Sequence, residues 1–176
     1  MLVALSACPP EAIREALHNQ RFCGGRLGTN LLDLGALDEE RLAHALGRLY
    51  RLPSAWGAVT PDLGALALVT RALVERHVLV PYDVDGRTLR LLVCDPTDVR
   101  ALDEVAFAVG RSVQPIVTPE ARVWDLMRRH YGVLHSRRTV AGAEGDGERR
   151  RWAPRLPRPP SRGRSIAQPI ADPLVW

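Results

Sequence analysis

The sequence contains no lysine: all 24 basic side chains among its 176 residues are arginine. That excludes a Schiff base to a cofactor and a P-loop lysine on nucleotide phosphates. Aromatic residues make up only 5% of the chain. Cysteine is represented only by Cys8, Cys23 and Cys94, odd in number and widely spaced. No CxxC pair exists, which argues against structural zinc and against a disulfide framework, and favours a reducing compartment. No apolar run approaches the ~20 residues of a membrane span. The opening MLVALSACPPE faintly resembles a lipoprotein signal, but it lacks a basic n-region and its apolar run is short. A cytoplasmic protein is expected.

Catalytic signatures are missing too. HExxH, GxSxG and GxGxxG are all absent, and no two of the five histidines lie four apart. His18 and His44 read as solvent-facing helix residues. Cys94, closing an apolar strand, reads as a buried thiol rather than a reactive one. With no acid–base or nucleophile pair to name, the chain reads as a non-enzyme.

The charge that is present is unevenly placed. Residues 1–132 carry 15 arginines and 16 acids, a balance of −1, whereas residues 133–176 carry 9 arginines and 4 acids, a balance of +5. The basic character belongs to the end of the chain, and so does any affinity for polyanions. Residues 133–176 also hold 6 of the 14 prolines, in runs such as RLPRPPSRGR. They contain too little apolar surface to offset ordering entropy, so a disordered Arg/Pro-rich tail is expected. A solvated linker is the simpler reading of this tail. Alternatives are contact with nucleic acid or anionic lipid, or a polyproline ligand at RLPRPP.

The first third is helical and repeated. EAIREALHNQ places Ile13, Ala16, Leu17 and Gln20 on one face, and ERLAHALGRL places Leu42, Ala45, Leu46 and Leu49 on the matching one. Glu11 recurs as Glu40, and Ser6 as Gly35. Between them RLGTNLLDLG reads as a short helix closed by Gly35, after a turn at Gly24–Gly25. Asp38 is the expected N-cap of the next helix, which ends near Leu52–Pro53. Two units are too few for a solenoid, so they read as one small helical subdomain. The first unit also looks cut, because the counterpart of Arg26–Gly28 would precede Met1.

Downstream, residues 66–76 read as a helix, and VLVPYDV and TLRLLVC as strands joined at Asp85–Gly86. Pro81 marks the first as an edge strand. DPTDVRALDEVAFAVG reads as a helix capped at Thr97 or Asp98 and stopped by Gly110. SVQPIV is a third strand. TPEARVWDLMRRHYG is a final helix with Thr118 as N-cap and Gly132 as its end. The expected class is α+β: a helical subdomain over 1–55, then an α-β-β-α-β-α domain with a three-stranded sheet over 56–132, then the tail.

GGRLG at 24–28 is the one phosphate-like motif. Glycines ahead of a helix expose backbone N–H groups, and Arg26 adds a planar double donor suited to a phosphate or a guanine edge. An ordinary glycine turn between helices accounts for the same residues. The motif follows a helix rather than a strand, unlike nucleotide-binding glycine loops.

The run RLGTNLLDLGALDEERLAHALGRLYRLP resembles the N-terminal domain of type II secretion and type IV pilus assembly ATPases, of the GspE N-terminal or MshEN type. Gln20 would close the first of two tandem units, residues 21–25 the spacer, and Arg26 open the second. VLVPYDVDGRTLRLLVCDPTDVRALDEV and the closing HYG continue the likeness. The resemblance implies docking onto inner-membrane platform proteins, or a related regulatory protein, at the periphery of that membrane. In one branch it implies binding of cyclic di-GMP. For that ligand it marks Gln20, Arg26, Leu27, Gly28, Leu42 and Leu46, with Asp95 as a guanine partner. Thr29 stands where an acid is common, and Leu49 where the second glutamine would be. No ATPase part follows Gly132, so an accessory domain rather than a motor is expected.

Overall fold

Ten elements follow one another over residues 8–133, the part of the chain that the computed structural model describes. Three helices come first: α1 (Pro10–Cys23), α2 (Leu27–Asp33) and α3 (Glu39–Tyr50). α1 starts on Pro10, whose missing N–H costs nothing in a first turn, and runs through Cys23, into the expected 21–25 spacer. Gly24 and Gly25 reverse the chain with φ of 70° and 75°. α2 closes at Gly35, whose φ is 66°; the Gly35 and Ala36 amides donate to the Leu32 and Leu31 carbonyls. Asp38 caps α3 as expected, accepting from the Arg41 amide at 2.8 Å.

A small apolar core joins these helices, built from Cys8, Ala16, Leu27, Leu31, Leu37 and Leu42. The inward faces differ from those read off the sequence. Leu17 and Leu49 are exposed, while Ala43 and Gly47 are buried on α3. The reason is a second neighbour. α3 touches both α2 and the segment leading to the sheet, so small residues face the close contact. A Cβ at Gly47 would lie 3.1 Å from the Leu52 carbonyl oxygen and 3.0 Å from Ser54 Oγ.

The rest is a three-stranded sheet with helices packed on it. The elements are α4 (Leu63–Leu68), α5 (Arg71–His77), β1 (Leu79–Asp85), β2 (Thr88–Val93), α6 (Val99–Val109), β3 (Ser112–Val117) and α7 (Glu120–Tyr131). The strand order is β1-β2-β3. β1 and β2 form an antiparallel hairpin, with Gly86 at φ 58° in its two-residue turn. β2 and β3 pair in parallel, which requires a crossover, and α6 is that crossover. Asp98 caps α6 through the Ala101 amide and Gly110 ends it at φ 65°, both as the sequence indicated.

The main core lies between sheet and helices. Leu79, Val80, Leu89, Leu91, Leu92, Val105, Val123, Leu126 and Met127 are its centre. Leu91 and Leu92 are adjacent on β2 and both fully buried, so the sheet is covered on both faces. Each such leucine contributes roughly 1.5–3 kcal/mol by leaving water.

Three details depart from the sequence reading. Residues 66–76 are not one helix: Val69 is extended (φ −114°, ψ 126°) and buried, and α5 starts anew after Thr70. Two β-branched residues at that point favour the break. Thr118 does not cap α7. Its hydroxyl donates to the Ala55 carbonyl at 2.8 Å, and Pro119 occupies the cap position. Val133, assigned to the tail, is buried, and its amide donates to the Met127 carbonyl behind Gly132. The remaining residues of the expected tail lie outside the described residues.

Pro81 does sit on an edge strand. The register of β1 slips between Pro81 and Asp83, and the Tyr82 carbonyl turns outward to accept from the Asp62 amide at 2.7 Å. On the opposite edge Pro115 interrupts β3, and Val117 pairs with the passing segment at Pro53 and Ala55.

Candidate functional site

GGRLG lies where the helical layer meets the α/β body. The Asn30 side chain, on α2, fixes the turn: its amide donates to the Gly24 and Arg26 carbonyls at 3.1 and 3.0 Å. The Gln20 amide donates to the Gly25 carbonyl at 2.9 Å. Held this way, Arg26 extends to the Asp-Pro loop after β2, where Nη2 meets Asp95 Oδ2 at 2.9 Å. Glu120, the first residue of α7, closes the third side. Its Oε2 accepts from the Arg26 backbone amide at 3.1 Å and from the Thr29 hydroxyl at 2.7 Å.

The structure therefore brings Gln20, Arg26 and Asp95 together at one surface. Leu27, Gly28, Leu42 and Leu46 lie in or against the helical core instead. Leu27 and Leu42 are buried, and a Cβ on Gly28 would come within 3.0 Å of Leu42 Cδ1. Leu27 and Leu42 lie beneath the surface, whereas Gly28 and Leu46 are only partly buried. Asn30 and Glu120 were not read from the sequence. An asparagine inside a helix run is a weak signal for a side chain engaged elsewhere. For Glu120, ninety-four positions from Arg26, no local signal exists.

The electrostatics follow from these pairs. Burial opposes the Arg26 charge most strongly, but the hydrogen bond to Asp95 and the negative charge of Asp95, Glu120 and Cys94 together outweigh it and raise the guanidinium pKa. Burial likewise disfavours the Asp95 carboxylate, yet hydrogen bonds from Thr97 and Arg26 hold its pKa below the ordinary range. Burial pushes the Cys94 thiol up, and the nearby Arg26 only partly offsets it. Cys94 thus lies buried in the wall with its thiol form favoured. One guanidinium faces two carboxylates here. An isolated phosphate is poorly served, whereas a group with both donors and acceptors is matched.

Beside this cluster a cleft of about 250 Å³ opens between α5 and α6. Arg26, His77, Val93, Cys94, Asp95 and Glu120 contribute to its walls. Behind it, Glu104 receives His77 Nε2 at 3.0 Å and Arg76 Nη1 at 2.6 Å. Val78, also in the wall, is left-handed at φ 50°. A β-branched residue pays for that conformation with about 1–2 kcal/mol. Among the described residues no three His, Cys, Asp or Glu side chains gather as a metal-holding group, and no helix is long and apolar enough to cross a membrane.

Residues 57–137 match the MshEN domain family, a span that covers the sheet and its helices. The chain is 29% identical over 134 residues to the type IV pilus assembly ATPase PilB of Myxococcus xanthus, covering 74% of this chain and 23% of that protein. It is 38% identical over 122 residues to PilB of Thermus thermophilus, covering 64% of this chain and 13% of that protein. It thus spans less than a quarter of the length of either relative. A solved structure of MshE with cdg superposes with a TM-score of 0.54 at 26% identity, covering 74% of this chain and 95% of that one. Residues 57–137 thus match the MshEN domain, and the chain is similar to part of the type IV pilus assembly ATPases and to MshE.

Proposed function

We propose that the chain is a non-catalytic interaction module of a pilus or secretion apparatus, docking on an inner-membrane platform component or a related regulatory protein. The observation that carries this reading is the correspondence to the N-terminal region of the pilus ATPases. The α/β body offers apolar contact area on α6, where Phe107 is 91% and Val99 59% exposed. The test is binding of the purified chain to the platform protein of its own apparatus. A Phe107→Ser/Val99→Ser variant should weaken it at least about tenfold, the scale of a lost interface anchor. Undiminished binding defeats α6 as the contact face, and no binding by the unaltered chain defeats the docking reading.

A second reading, a cyclic di-GMP receptor, is favoured by the Arg26–Asp95 pair. A guanine presents acceptors at O6 and N7 and a donor at its amino group. Arg26 can donate to the former, and Asp95 can accept from the latter. The superposition on MshE with cdg supports the same ligand. In this reading Gln20, Arg26 and Asp95 touch the nucleotide, while Leu27, Gly28, Leu42 and Leu46 support them. The cleft falls below the ~300–1,000 Å³ of enclosed small-molecule sites, so the ligand would rest on its lip. Calorimetric titration with cyclic di-GMP decides. Micromolar or tighter binding abolished by Arg26→Ala supports the receptor reading, and absence of binding refutes it.

A further inference from the structure

The cleft between α5 and α6 holds a charge pattern that a nucleotide resting on its lip does not use. Its floor is apolar, with Leu79, Val93, Ala101 and Leu102 contributing. Its walls set two arginines, Arg26 and Arg76, against three carboxylates, Asp95, Asp98 and Glu120. Both arginines already have anionic partners: Arg26 meets Asp95 at 2.9 Å, and Arg76 meets Glu104 at 2.6 Å. His77 also turns to Glu104. Asp98 and Glu120 remain, and both accept only from neutral donors. Asp98 receives the Ala101 amide, and Glu120 receives the Arg26 amide and the Thr29 hydroxyl. Among the described residues neither carboxylate forms a salt bridge. The cleft thus presents uncompensated negative charge beside an apolar floor.

We infer that this cleft receives one arginine or lysine side chain presented by the docking partner. Its volume of about 250 Å³ is below the ~300–1,000 Å³ of pockets that enclose whole small molecules, and it suits a single long side chain. Such a side chain lays its aliphatic stem on apolar surface and keeps its charged head at the polar end. Here the stem lies along Val93, Ala101 and Leu102, and the head meets Asp98 and Glu120. An acidic side chain is turned away by the same carboxylates. The inference rests on the docking reading above and names the chemistry that the partner supplies. Inner-membrane proteins carry an excess of Lys and Arg in the cytoplasmic segments that flank their spans, so a platform component has the cation that the cleft calls for. α6 carries both halves of the contact: Asp98 starts it at the cleft, and Val99 and Phe107 are exposed along it. A cationic anchor in a pocket beside apolar contacts is the common pattern of a binding hot spot.

The test titrates the whole chain with the blocked tripeptide acetyl-Gly-Arg-Gly-amide in low salt, read by heteronuclear NMR. The amides of Cys94, Asp98, Ala101 and Leu102 should shift and saturate. A citrulline peptide, which keeps the shape of arginine and removes its charge, should bind at least about tenfold more weakly. The Asp98→Asn/Glu120→Gln chain should weaken the arginine peptide by the same factor. Asparagine still caps α6 and glutamine still offers an acceptor to the Arg26 amide, so the pair of changes removes charge and keeps the fold. Equal binding of the arginine and citrulline peptides overturns the inference, as does undiminished binding by the altered chain. So does the absence of saturable shifts at about 10 mM peptide, or an acetyl-Gly-Glu-Gly-amide that moves the same amides as strongly. The citrulline and glutamate arms need no substitution, so a variant that fails to fold leaves the inference testable. No platform protein enters this experiment, which separates the two readings. A chain that binds the platform protein and ignores the peptide defeats the cleft alone; one that takes the peptide and ignores the platform protein upholds the cation site and defeats the docking reading.

Discussion

Gly28 can be kept for either of two purposes, and the structure distinguishes them. If a ligand needed close access to the backbone, substitution would change binding and leave stability alone. The structure instead places Gly28 against α3, with a built Cβ 3.0 Å and 3.1 Å from the two Leu42 methyl carbons. Ordinary carbon–carbon contact begins near ~3.5–4.0 Å. Alanine gains up to ~1 kcal/mol of helix propensity and Leu42 can yield by a few tenths of an ångström, so Gly28→Ala is a weak test. Gly28→Val adds two further carbons in a buried contact and should cost about 1–3 kcal/mol through overpacking. For a two-state domain of this size that lowers Tm by about 3–5 °C per kcal/mol. Leu42→Ala alone should cost about 2–5 kcal/mol by leaving a cavity. Combined, the two changes should fall short of their sum by about 1 kcal/mol or more, since the added valine fills what the leucine vacates. The assay is thermal and urea unfolding of the four chains. Additivity to within about 0.5 kcal/mol, or a Gly28→Val chain as stable as the parent, would refute the packing account.

Tyr131 donates to the Leu66 carbonyl at 2.8 Å, and burial raises its pKa to about 12. A raised pKa means the neutral phenol is favoured on folding, so this contribution is complete below pH ~10 and lost as pH rises through 12. Tyr131→Phe should flatten that alkaline loss in pH-dependent unfolding and cost about 0.5–1.5 kcal/mol at neutral pH. Asp95 has the opposite sign: its lowered pKa stabilises above pH ~4, and the stabilisation is lost as pH falls through the folded value. The stability difference between parent and Asp95→Asn should therefore be constant at neutral pH and shrink in acid, and a gap that persists at pH ~2 would contradict the pairing with Arg26. Leu91→Ala, at the fully buried centre of the middle strand, should cost about 2–5 kcal/mol in urea unfolding, with exchange faster throughout the sheet.

Local chemistry was readable where it acts locally. Asp38, Asp98, Gly35, Gly110 and Gly132 mark helix ends by capping and by positive φ, and each serves where the sequence placed it. Pro81 announced an edge strand for an equally local reason, its missing donor. Two of the failures share one cause, a neighbour outside the element. Thr118 carries a good cap residue's hydroxyl but spends it on Ala55, sixty-three positions away. Leu17 and Leu49 follow the helical period, yet Ala43 and Gly47 took the inward face because the chain near Ser54 needed the room. At the site, Arg26 and Asp95 were accessible through the family resemblance, and the structure pairs them directly. Glu120 and Asn30 have meaning only once α7 and α2 are folded against the turn they hold.

The treatment of the sheet's two borders narrows how this molecule can be recognised. A partner that binds by adding a strand needs an unbroken row of free amides and carbonyls. β1 offers a kinked border whose Tyr82 carbonyl is taken by Asp62, and β3 a border cut by Pro115 and already engaged at Val117. Strand exchange between copies and growth into a continuous sheet meet the same obstruction. Recognition is left to helix flanks and loops, surfaces whose side chains can be exchanged without disturbing the pairing beneath.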